Sequence, residues 1–259
     1  MATEGKIDPM HQFLIEPIIR LDVAGFDLSF TNSALWMMIV LGALWLFMLG
    51  GMRQAVVPGR WQVAVEGVYG FIDSMLAQNI GPEGKKFVPL IFSLFMFILT
   101  ANLIGMMPFG IVPGVHPFTV TSHMTVTGIL AILSFGTVLV VGFWRHGFHF
   151  FSLFVPQGAP WWMMPIIVPV EFVSFLVRPF SLALRLFVAM TAGHILMKVL
   201  AGFIIKAAAA GMLSGVIIGG ATFTLMVGIT ALELLVCAIQ AYVFALLTSL
   251  YLNDAVNLH

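Results

Sequence analysis

The sequence predicts an all-α integral membrane protein. Of its 259 residues, 61% are hydrophobic and only 8% are charged, whereas a soluble domain carries about 25% charged residues. The apolar residues fall in continuous runs of the length a spanning helix needs, not in the alternating segments of a barrel. One apolar stretch, residues 171–198, nevertheless carries Glu171, Arg178, Arg185, His194 and Lys198. A central arginine in a bilayer costs about 2.5–3.5 kcal/mol on insertion scales, so a chain that keeps one points to a functional site.

Composition excludes several classes of function. Net charge is zero and no basic tail is present, which argues against nucleic acid as a partner. The single cysteine, Cys237, allows neither an internal disulfide nor a thiolate metal cluster. Zinc-ligand spacings and a phosphate loop ending in Gly-Lys-Ser/Thr are absent from the sequence. No metal or other cofactor is therefore expected, and the chain has no visible means of handling ATP by itself.

Taken in order, residues 1–32 mix charges with hydrophobics and read as a polar outer arm, not as a signal peptide. A first span covers 33–52 and is closed by Arg53. Residues 58–79 place Trp61, Val65, Val68, Ile72 and Met75 at helical spacing, with Gln62, Glu66 and Asp73 on another face. That pattern suits an amphipathic helix on the membrane surface, or one packed against the bundle. Residues 87–144 read as a helical hairpin whose spans, 87–107 and 123–144, are joined by an uncharged loop. Asn102 lies inside the first of these spans, where a lone amide usually makes an interhelical hydrogen bond. Residues 145–165 combine His146 and His149 with Pro156, Pro160, Trp161, Trp162 and Pro165, an interfacial connector. A metal pair at the two histidines is weighed there, but no carboxylate or cysteine joins them.

The last part, 166–252, reads as a long helical hairpin. Each limb has roughly forty residues, or about 60 Å of helix, against about 30 Å of hydrocarbon. Both limbs are therefore expected to tilt steeply, to break, or to run partly along the membrane. Arg53, Arg60, Lys85 and Lys86 fall between the first two spans, with Arg145 on the same side; Lys6, Arg20 and Lys206 fall on the other. The bias predicts an outer N-terminus and an inner C-terminus after five crossings.

The polar groups of the two limbs form a matched set. Glu171, Arg178 and Arg185 are seven residues apart and share one helical stripe, while His194 falls on the opposite face. Glu233 and Gln240 are likewise seven apart on the second limb. Folding the limbs about a turn in residues 210–215 brings His194 level with Glu233, and Arg185 level with Gln240. No carboxylate lies three or four residues from Arg185 to pair it within its helix. It is either a structural ion pair within the bundle, a side chain snorkelling to the interface, or a functional charge whose partner lies elsewhere. Polar groups on both sides of a fixed charge suggest two separate aqueous approaches. Histidine and glutamate can relay protons; arginine cannot.

Three segments carry a family resemblance: SLALRLFVAMTAGHI around Arg185, ALELLVCAIQAYVFALLTSLYL after it, and NLIGMMPF in the second span. Together they resemble the a subunit of F-type ATP synthases, the membrane stator subunit beside a rotating ring, over roughly residues 87–252. The resemblance implies a proton-translocating role with two offset half-channels. Arg185 would face the ring carboxylate and prevent a proton short circuit. His194 and Glu233 would line the outer path and Glu171 the inner one. Gln240, Asn102 and Arg178 would be supporting polar groups. His194 and Glu233 are exchanged relative to the best-known bacterial pattern, which resembles mitochondrial and related bacterial subunits. Implied partners are the c-ring, peripheral-stalk b subunits, membrane lipid and protons. With no transit peptide visible, a bacterial inner (plasma) membrane is expected ahead of a mitochondrial inner membrane. A secondary transporter and a purely structural assembly subunit remain the rival readings.

Overall fold

The computed structural model describes residues 15, 17–20, 22–23, 26–27, 29–51, 59–107, 119–155 and 161–257. Helices form where the apolar runs lie. They are α1 (Asn32–Gly51), α2 (Arg60–Asn79), α3 (Val88–Met106), α4 (Met124–His146), α5 (Met164–Ala209) and α6 (Gly220–Val256). A single turn, Met212–Ser214, and a π-helical segment, Gly215–Gly219, lead into α6. Five helical segments are long and apolar enough to cross a membrane. The arm before α1 contains two antiparallel strand pairs that its composition did not announce. β1 (Pro17–Ile19) pairs with β4 (Phe30–Thr31), and β2 (Asp22–Val23) pairs with β3 (Phe26–Asp27). The rest of the arm, with Lys6, and also Arg53, Pro58, Pro156 and Pro160, lie outside the described residues.

One helix organises the packing. Cys237, Ala241, Ala245 and Ser249 repeat every four residues along α6, and all four are fully buried. Small residues at that spacing let helix backbones approach closely where apolar surface alone gives no preference among neighbours. Accordingly α3, α4 and α5 all pack on α6. Within residues 87–144, α3 packs mainly on α6, while α4 packs on both α5 and α6. The buried face of α3, with Ile91, Phe95, Ile98 and Asn102, meets the small stripe. Ser134 of α4 reaches Thr248 of α6 at 2.8 Å.

One face of α2 packs against the bundle. Val65, Ile72, Met75 and Leu76 are buried, Phe71 stacks at 5.6 Å from Tyr242, and Asn79 donates to Ser249 at 2.8 Å. Trp61, expected on the apolar face, is half exposed but donates its indole N–H to the Phe47 carbonyl of α1 at 2.9 Å. Gln62 and Glu66 bond to each other on the exposed side.

The two ends of the bundle are chemically distinct. At one end the Arg145 guanidinium grips the Glu83 carboxylate with both nitrogens, and His146 lies 3.3 Å from the Val256 carbonyl. Lys85, Lys86, Arg145 and the C-terminal turn therefore share that end. The same contact accounts for His146, one of the two histidines weighed for metal; His149 is exposed. Trp144, Phe148, Trp161 and Trp162 project outward beside them, as interfacial aromatics do. At the opposite end Thr119–Ser122 caps the entry to α4 and touches α5.

The long limbs are continuous helices. α5 has 46 residues, or about 69 Å at 1.5 Å per residue, and runs through Pro169 and Pro179 without interruption. The reversal comes at Ala210 and Gly211. Gly211 has φ +132°, a region open to glycine and strained for other residues.

Candidate functional site

The site follows from the register of α5 against α6. Met190 meets Cys237 at 3.9 Å, His194 meets Glu233 at 3.0 Å, and Met197 meets Thr230 at 3.7 Å. Stepping forward along α5 is matched by stepping back along α6, as an antiparallel hairpin requires. The actual turn is a few residues earlier than the midpoint of these pairs. The difference is taken up by residues 212–219, which curl past Ala207: Ser214 donates to the Ala207 carbonyl at 3.0 Å before α6 straightens.

His194 and Glu233 are both buried, at 5% and 3% exposure. Nδ1 of the imidazole faces Glu233 Oε1, and Nε2 faces the Thr119 hydroxyl. The other carboxylate oxygen, Oε2, has no hydrogen-bond partner among the described residues. The Glu233 carboxylate fits beside His194 because residue 193 is glycine. A Cβ there would lie 2.3 Å from Glu233 Oε1. Gly193→Ala is therefore expected to leave the helices in place and push the flexible carboxylate off His194. A structure of the variant checks this; an unmoved Glu233 would contradict it.

Arg185 lies on the other face of α5 and is exposed. No hydrogen bond or ion pair engages it among the described residues. It shares a groove with Gln240, walled by Leu182, Leu186, Phe244 and Leu247. The two polar groups sit at one level, as the register predicts, without bonding to each other.

Further along the stripe, Arg178 Nη1 donates to Asp254 at 2.7 Å and Nη2 lies 3.8 Å from Glu171. Its guanidinium also covers the Tyr251 ring at 4.9 Å. Polar groups thus run from the Arg178 cluster, past Arg185 and Gln240, to His194 and Glu233. Asn102 joins the last group: it donates to the Cys237 carbonyl at 3.3 Å and accepts from Thr121 at 2.7 Å.

A family model described as "ATP synthase A chain" matches residues 33–253. The chain belongs to the ATP synthase A chain family. It is 68% identical to ATP synthase subunit a of Rhizorhabdus wittichii, over 100% of this chain and 99% of the relative. It is 65% identical to that of Sphingopyxis alaskensis over the same shares, and 46% identical to that of Rhodospirillum rubrum over 97% of this chain and 99% of the relative.

Within this member of the ATP synthase A chain family, two residues beside the site were not singled out from sequence. Asp254 lies two residues past Leu252, where the apolar run of the second limb is read to end. The signal was present, since continuing the seven-residue spacing of Glu233 and Gln240 leads to Leu247 and then Asp254. Thr119 carried no such signal, because it sits in a loop without periodicity.

Proposed function

We propose that this chain is the proton-translocating a subunit of a bacterial F-type ATP synthase. It works beside the c-ring and the peripheral-stalk b subunits in the inner membrane. The observation that carries this reading is Arg185: a permanent charge on the outward face of the long hairpin, with no hydrogen bond or ion pair among the described residues. A cation so placed calls for an anion from another chain, and a ring carboxylate supplies one.

The mechanism follows from pKa control. A ring carboxylate facing lipid is protonated because burial disfavours its charged form; opposite Arg185 the positive charge favours ionisation and the proton leaves. Glu171, beside Arg178 and Asp254, opens the inner path that takes it. His194 and Glu233 open the outer path that delivers the next one. Each proton therefore rides the ring through most of a turn. The guanidinium cannot itself carry a proton, and its charge repels any that would pass straight between the paths. The membrane potential contributes about 2.3 kcal/mol per charge per 100 mV.

The two paths should open to opposite sides. With Cys237 replaced by serine, Glu171→Cys and Glu233→Cys in the reconstituted complex are expected to react with added Ag⁺ from opposite faces of the membrane. Reaction of both from one face would overturn the half-channel reading.

A further inference from the structure

The outer path depends on an imidazole held in one orientation, and Glu233 fixes only one of its nitrogens. The other faces Thr119, which is itself 4% exposed. The Thr119 carbonyl accepts both the Ser122 backbone N–H at 3.1 Å and the Ser122 hydroxyl at 2.6 Å. Thr191, a turn before His194 on α5, bonds the Ser122 carbonyl at 3.4 Å. The loop is thereby tied to the helix that carries His194. From the other side α3 presses on Thr119 at Gly105. A Cβ on residue 105 would lie 2.5 Å from Thr119 Cγ2 and 2.7 Å from its Oγ1. A β-branched side chain so confined has little choice of rotamer.

We propose that Thr119 is a positioning residue for proton transfer at His194. Its hydroxyl pins Nε2 so that Nδ1 is presented to Glu233. A hydroxyl accepts from a protonated ring nitrogen and donates to a bare one, so Thr119 serves both states of the imidazole without moving. Fixing one nitrogen sets the ring plane and so the direction in which the other points. The proposal rests on His194 and Glu233 belonging to the outer proton path.

The test uses the complete ATP synthase in vesicles, with gradient-driven ATP synthesis measured against the amount of this subunit in the complex. Thr119→Val keeps the branched shape and removes the hydroxyl. It is expected to assemble normally and to lose synthesis by about tenfold, the effect of one buried hydrogen bond left unmade. Thr119→Ser is expected to restore the rate to within about twofold of the unaltered enzyme, since the donor and acceptor return. Gly105→Ala, which displaces the hydroxyl without deleting it, should reproduce the valine defect. Full activity in Thr119→Val or Gly105→Ala overturns the proposal. So does a serine variant as impaired as valine, or a valine variant that fails to assemble, because the hydroxyl would then serve folding. His194→Ala, run in parallel, separates the two levels. If it is active, the outer-path reading itself falls; if it is inactive while Thr119→Val is normal, only the role of Thr119 falls.

Discussion

Arg185→Ala is expected to abolish gradient-driven ATP synthesis in the assembled complex. A cation close to a carboxylate lowers its pKa by about 1–3 units. If Arg185 faces a ring carboxylate as proposed, removing it cuts the ionised fraction of that carboxylate by a factor of about 10 to 1000. In the proposed mechanism the barrier between the two half-channels goes with it, so a passive proton leak should appear. Arg185→Lys should also fail largely. A desolvated ammonium can lose its proton, and it lacks the planar fork of donors. Stability decides between this reading and a structural ion pair. Arg185 is exposed and no hydrogen bond or ion pair engages it among the described residues, so the alanine variant of the isolated chain should unfold within about 0.5 kcal/mol of the original. Substantial ATP synthesis by Arg185→Ala vesicles under an imposed gradient would sink the mechanism. A large loss of stability would return Arg185 to the structural role.

The second expected result concerns the buried pair. His194→Ala and Glu233→Ala should each slow proton flux by on the order of 10²-fold, the usual worth of a positioned acid or base. Each single change also strands the other group without its partner in a buried site. Because the side chains touch at 3.0 Å, their effects should be strongly non-additive in a double-mutant cycle. The exchange variant, His194→Glu with Glu233→His, should retain more flux than either half alone. Both arrangements keep one carboxylate and one imidazole facing each other. Gly193 sets the condition, since the imidazole at position 233 must fit the space now taken by the carboxylate. Simple additivity of the two alanine effects would mean that His194 and Glu233 act separately.

Much of the geometry of the candidate site was legible in the sequence. The level of His194 with Glu233 follows from the constant rise of a helix. Once the limbs reverse near one turn, every later pairing is set by counting. The seven-residue stripe of Glu171, Arg178 and Arg185 is equally local. Asp254 escaped because Asn253 and Asp254 interrupt the apolar run after Leu252, although the helix continues to Val256. An amphipathic pattern on α2 could not say whether its apolar face met lipid or protein, since both are apolar. The contacts of Val65, Ile72 and Met75 show that face turned to the bundle.

Sequence alone therefore determined the helical membrane class, the number of spanning segments and the pairing within the long hairpin. Each depends on run length or helical period, which neighbouring residues set among themselves. Only the tertiary structure decided that α6 is the common packing partner of α3, α4 and α5. Only it brought Asp254 to Arg178 and Thr119 to His194. Those outcomes depend on which apolar surfaces choose each other and where aperiodic loops run. In an apolar solvent that choice is made by close fit along Cys237, Ala241, Ala245 and Ser249, a property of two surfaces meeting and not of either one alone.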